Sequence, residues 1–180
     1  MFSELVSLPG LHLLTGWNPD TGVVLSVEVI DVSIIEETIE VDAPLRTVYN
    51  QWTQFEEFPK FMEGVEQIIQ LDDEHLHWKA KIAGQSREWD ARITEQRPDE
   101  LIAWVSEAGA KNDGIVAFQA LDPGRSRIVL QLDVEPEGFM ENVADGLGLI
   151  RQRAHGDLKR FKEFIEERSV ETGAWRGQIN

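Results

Sequence analysis

Residues 75–106 read HLHWKAKIAGQSREWDARITEQRPDELIAWVS, and their alternation decides the fold. In His75–Ile82 the apolar set is Leu76, Trp78, Ala80 and Ile82, with His75, His77, Lys79 and Lys81 between them. That period of two is a strand with one buried face. Gly84 ends the run. On the next strand, Arg87–Gln96, residues Trp89, Ala91 and Ile93 share a face with Arg87, while Glu88, Asp90 and Arg92 point away. Pro98-Asp99 then turns the chain into Leu101–Ser106. Turns this short require antiparallel neighbours, because parallel strands need a crossover of a dozen or more residues.

The same punctuation extends outward. Val65–Leu71 stops at Asp72-Asp73, Ile115–Leu121 at Asp122-Pro123-Gly124, and Arg127–Val134 before Pro136 and Gly138. Ile128, Leu130, Leu132 and Val134 point inward; Trp104 and Phe118, on strands apolar on both faces, are assigned inward as well. The result is a six-stranded meander. Before it, Ile35, Ile39 and Val41 alternate with Glu37 and Glu40 as a further strand. A helix over Pro44–Trp52 follows, with Asp42 expected as its N-cap and Pro44 in its first turn. A second short helix spans Phe55–Phe61, limited by Pro59.

After the meander a long helix is predicted over Phe139–Arg168. Its apolar residues Phe139, Val143, Leu147, Ile150, Ala154, Leu158, Phe161 and Ile165 recur at gaps of three and four and form one stripe. Met140 and Gly146 are expected to face the sheet with the first half of that stripe. Gly146, Gly148 and Gly156 each cost roughly 1 kcal/mol against Ala in a helix; they read as close backbone approach to sheet or ligand, or as a kink. The fold class is therefore α+β: a curved antiparallel sheet wrapped around a long C-terminal helix, with two short helices after the first strand.

At 180 residues the chain suits one domain. The expected boundaries are an N-terminal extension at 1–33, the domain at 34–170 and a tail at 171–180, with Trp175 as the tail's anchor. The extension carries no Lys or Arg and is broken by Pro9, Gly10, Gly16, Pro19, Asp20 and Gly22. It reads as dispensable and flexible: either an accessory arm whose Val23–Val32 adds a strand, lengthens the first one or passes to a neighbouring subunit, or residues upstream of a true start near Val32, the second being favoured.

A net charge of −16 repels phosphate backbones and anionic headgroups, which argues against nucleic acid and membrane adsorption. No apolar run reaches the roughly 20 residues of a spanning helix. There is no cysteine, which removes thiolate chemistry and suits a cytoplasmic location.

Trp52, Phe58, Phe61, Met62, Trp78, Trp89, Trp104 and Phe118, with Phe139, Val143 and Leu147 of the helix, are the candidate ligand-binding set. They read either as solid core or as the wall of a cavity. Arg87 either meets a ligand or protein acid, or snorkels to water from the strand end. His155 is either a base or a surface histidine. With Ser106 these are the polar candidates for chemistry, since no catalytic constellation is legible. His75-x-His77 has metal-compatible spacing but no third ligand, so no metal and no cofactor are expected.

The order strand, two short helices, six strands, long helix resembles the START and birch-pollen-allergen (SRPBCC) superfamily of helix-grip proteins. Residues 34–178 are similar to its bacterial cyclase/dehydrase, or polyketide-cyclase-like, branch. The stretches IEVDAPLRTVYNQWTQFEEFPKFMEGV, HLHWKAKIAG, ITEQRPDELIAWVS and GDLKRFKEFIEERSVETGAWRG carry the likeness. The resemblance implies a cavity that binds or carries a small apolar molecule (a lipid, quinone or polyketide-like compound), or else a cyclase, aromatase or dehydratase using the same cavity. Recognition of a protein partner by the acidic surface or the tail is a third possibility.

Overall fold

Alternation becomes pairing in the computed structural model, which describes residues 14–18, 22–26, 34–82, 84–135 and 146–180. The chain divides into two units, Met1–Ser33 and Ile34–Asn180. In the first, β1 (Leu14–Asn18) pairs antiparallel with β2 (Gly22–Ser26), with Trp17 opposite Val23.

The second unit contains β3 (Ile34–Val41), α1 (Leu45–Trp52), a 3₁₀ helix (Phe55–Lys60), β4 (Val65–Gln70), β5 (His75–Ile82), β6 (Gln85–Arg97), β7 (Leu101–Gly109), β8 (Asn112–Asp122), β9 (Arg125–Val134) and α2 (Gly146–Arg168). Its seven strands lie in the order β3-β9-β8-β7-β6-β5-β4, all neighbours antiparallel. The meander is thus continuous, and the first strand of the unit closes onto the last. Register shifts fall between Val65 and Gln67, between Asp90 and Ala91, between Ile93 and Glu95, and between Ala120 and Asp122. Each inserts an unpaired residue that bends its strand, and together they curl the sheet. This is the helix-grip architecture.

The stripe of α2 is buried where expected: Ala154, Leu158, Phe161 and Ile165 lie inside, the last two fully. Phe139, Met140 and Val143 lie outside the described residues. Around Phe161 the aromatic rings of Trp52 and Phe61 meet it edge-on at 4.9 and 5.2 Å. Val41, Val48, Tyr49, Ile102 and Ile128 complete this core.

Three expectations need correction. Asp42 does not cap α1: the N-cap position is Pro44, in extended backbone, and no side chain caps the helix. A proline disfavours helical backbone in the residue before it, so Ala43 is a poor first helical residue and Asp42 a poor cap. The N–H of Asp42 instead donates to Glu166 Oε1 of α2 at 2.7 Å. A Cβ at Gly148 would have nothing within 4 Å, and one at Gly156 would meet only the flexible end of Arg160, so close approach explains neither glycine. The tail, finally, has many anchors besides Trp175. Ile179 exchanges two backbone hydrogen bonds with Gln96, and Arg176 forms a bidentate pair with Asp99 (2.6 and 3.0 Å) under the Tyr49 ring.

Candidate functional site

Between the concave face of the sheet, the 3₁₀ helix and α2 lies a cavity of about 150 Å³. Its wall is built by the alternation that makes the strands. Leu76, Trp78, Ala80 and Ile82 enter from β5, Trp89 and Ile93 from β6, Ile102 and Trp104 from β7, and Leu130, Leu132 and Val134 from β9. Trp52, Phe55, Phe58 and Met62 close one end, and Ile150, Ala154 and Leu158 form the roof on α2.

The aromatic wall is ordered. Trp78 and Trp89 face each other across β5 and β6 and stack at 5.5 Å with 13° between planes. The Phe58 ring meets Trp78 edge-on at 6.0 Å. Trp104 lies over Gly114, where any side chain would collide with its ring at 2.4 Å, and its Nε1 donates to the Asn112 carbonyl at 2.8 Å.

Among the described residues, four polar ones reach the cavity: Glu63, Asn112, Arg153 and Asp157. Three of them form a rim between α2 and the loop after the 3₁₀ helix. Arg153 Nε donates to the Glu63 carbonyl (3.1 Å) and its Nη2 to the Lys81 carbonyl (3.3 Å). Asp157 Oδ1 accepts the Glu63 N–H at 2.9 Å and also pairs with Arg160. Arg160 Nε in turn donates to the Phe61 carbonyl at 2.8 Å. Gly64, at φ +74°, passes beneath Arg153 so closely that a Cβ would sit 2.0 Å from its guanidinium and 2.4 Å from the Lys81 carbonyl. Burial pushes the Asp157 carboxyl above the ordinary aspartate range; the Glu63 N–H and Arg160 oppose that shift without cancelling it. The rim is thus the place where a proton can be held beside an apolar space.

Of the sequence candidates, Trp52, Phe58, Met62, Trp78, Trp89 and Trp104 line the cavity. Phe61 and Phe118 are buried outside it, packed on Phe161 and on Tyr49 and Trp52 respectively. Leu147 is half-buried against the cluster around Ile35, Ala80 and Val134 and is not part of the wall. Phe139 and Val143 lie outside the described residues.

None of the three polar candidates lines the cavity. Arg87 turns along the exposed end of β6, where its Nη2 donates to Gln85 Oε1 at 2.6 Å. Ser106 Oγ donates to Asp113 Oδ1 (2.7 Å) and accepts the Asn112 N–H (3.1 Å), which fastens β7 to β8. His155 is 63% exposed and bonds Glu37 at 3.0 Å. His75 and His77 lie on the outer face, with Nδ1 held by Asp72 (2.9 Å) and by Asp90 (2.6 Å). The polar residues that do reach the cavity are signalled weakly: Arg153 and Asp157 sit one residue before Ala154 and Leu158 of the stripe, on its edge.

A family model described as polyketide cyclase/dehydrase and lipid transport matches residues 41–163. An uncharacterized 17.2 kDa protein of Streptomyces lincolnensis is 50% identical over 149 residues, which is 82% of this chain and 99% of that protein. Among solved structures, the Zhui aromatase/cyclase of Streptomyces sp. R1128 superposes with a TM-score of 0.64 at 17% identity, covering 79% of this chain and 98% of that one. A START superfamily protein of Mycobacterium smegmatis does so with a TM-score of 0.61 at 19% identity, covering 76% and 96%.

Proposed function

The chain belongs to the polyketide cyclase/dehydrase and lipid transport family, and from that footing we propose that it binds or carries a small apolar molecule in the cavity under α2. The observation that carries this reading is the wall itself. Four tryptophans and two phenylalanines enclose an unfilled space, whereas protein interiors normally pack with few voids larger than a water molecule. An apolar cavity of this size takes a ligand on the scale of one aromatic ring. Among the described residues no helix is long and apolar enough to cross a membrane.

Native mass spectrometry of freshly purified protein tests the reading. The wild-type chain should carry, or accept from solution, one apolar molecule. Ala80→Leu, which fills the wall of β5, should lose most of that capacity while staying folded. A wild-type protein that never takes up an apolar compound sinks the proposal.

Catalysis of a cyclase or dehydratase type is the second reading, and Asp157 is what favours it. A carboxyl held protonated to higher pH at the edge of an apolar cavity is suited to general acid–base work. Such a role predicts that Asp157→Asn abolishes turnover of a polyketide-like substrate; unchanged turnover removes the reading.

A further inference from the structure

The two arginines of the rim are held differently. Arg160 is claimed by acids: its Nη2 pairs with Asp157 Oδ1 and stands 3.6 Å from Glu63 Oε2. Arg153, half-buried in the cavity wall, is bonded to peptide carbonyls instead. Among the described residues no carboxylate lies within ion-pair distance of it, and Asp157 feels its charge from farther off. A guanidinium has five N–H groups. Those on Nε and Nη2 go to the Glu63 and Lys81 carbonyls, while Nη1 has no partner among the described residues. Nη1 is not enclosed by protein, so a molecule lying at the edge of the apolar space can meet it.

A cation at the edge of an apolar space, with both N–H groups of one nitrogen to spare, is a seat for an oxyanion. We propose that the cavity takes a compact apolar monocarboxylic acid, with its ring or short chain inside the wall and its carboxylate at the rim on Arg153 Nη1. The acid is compact because the space is about 150 Å³. It is a monoanion because Glu63 and Asp157 flank the seat, and they would repel the second charge of a phosphate. The net charge of −16 does not forbid this, since exposed charges beyond about 10 Å are largely screened at roughly physiological salt. Arg153 then has two uses: it stitches α2 to Glu63 and Lys81, and it holds the acid. The inference rests on the proposal that the cavity is a binding site, and it specifies what that site selects.

The test uses phenylacetate and phenylacetamide, which match in shape and differ in charge, with toluene as a probe of the cavity alone. Binding of each to the whole chain is measured by calorimetry at low and at high salt. The expected result is about tenfold tighter binding of phenylacetate than of the amide, the worth of one hydrogen bond to a charged group. That preference should shrink at high salt, while toluene binding does not weaken. Arg153→Met keeps the unbranched stem and removes the charge; it should abolish the preference and leave toluene binding in place. Arg153→Lys should keep part of the preference. Phenylacetate binding no tighter than the amide, or a preference that survives Arg153→Met, would overturn the inference; toluene bound in the same experiments would leave the cavity a binding site. Failure of all three probes to bind would overturn the inference together with the reading it rests on. Should Arg153→Met fail to fold, the wild-type comparison and its salt dependence decide.

Discussion

The helix α2 covers two regions built to opposite rules. Under its C-terminal half, Phe161 and Ile165 are fully buried, and the buried polar side chains Asn50, Gln51 and Gln96 are engaged. Asn50 Nδ2 donates to Glu171 (2.8 Å), Gln51 is bonded in both directions to Thr172, and Gln96 Nε2 donates to Tyr49 Oη (3.0 Å). Under the N-terminal half lie a cavity and a rim of charged side chains. One element thus supplies stability at one end and capacity at the other, and variants should separate the two properties.

The largest effect is expected from Phe161→Ala. It removes a ring wedged between Trp52 and Phe61 and should cost about 3–5 kcal/mol in urea unfolding. Uptake of an apolar ligand by the folded fraction should be nearly unchanged. A silent Phe161→Ala would erase the distinction between the two ends.

Removal of residues 171–180 should come next, at about 2–3 kcal/mol. It strips Asn50 and Gln51 of their partners, and it breaks the Arg176–Asp99 pair. A thermal midpoint within a degree or two of wild type would show that the tail is an ornament of the fold.

Legibility in the sequence divides along the same line. Strands and helices are readable because burial imposes a period of two or of three to four, and Leu76 to Ile82 or Ala154 to Ile165 keep that period without a break. Tail anchoring is not readable. Its contacts join residues 77 to 126 positions apart, and no local pattern marks Asn50 as the partner of Glu171 or Asp99 as that of Arg176. Trp78 and Trp104 are legible as inward-facing, yet nothing in their spacing separates a wall from a filled core. The cavity depends on how far the sheet curls, and that is set by bulges at Glu66, Thr94, Glu107 and Leu121 that carry no turn residue to announce them. Arg87, Ser106 and His155 stand out by residue type and phase alone; neighbours on the strand ends and on the outer surface, Gln85, Asp113 and Glu37, claim them instead.

A smaller effect belongs to the rim. The folded pKa of Asp157 is raised by burial, so between its unfolded value near 3.8 and its folded value the native state binds more protons than the unfolded one. This carboxyl therefore favours folding less as pH rises through that window, and its full penalty is present above it. Relative to wild type, Asp157→Asn should gain stability as pH increases from about 4, a sign opposite to that of the exposed carboxylates whose pKa is lowered, such as Asp72 and Asp122. Denaturation midpoints of both proteins across pH measure it; a difference that is flat in pH removes the rim's electrostatic role.

The smallest change is a gain. Gly148→Ala places a methyl in open space and should stabilise by up to about 1 kcal/mol, with ligand binding untouched. A loss there would show that the backbone at this end of α2 needs freedom.

The chain has six tryptophans, and four of them, Trp52, Trp78, Trp89 and Trp104, belong to the cavity wall. Optically, then, the protein is its own indicator. Most of its near-ultraviolet absorption and emission arises within contact distance of whatever occupies the cavity, and the near-parallel indoles of Trp78 and Trp89 are close enough for their transitions to couple. Filling the space changes the surroundings of the fluorophores themselves, so occupancy can be followed by emission or near-ultraviolet circular dichroism without a label attached anywhere on the molecule.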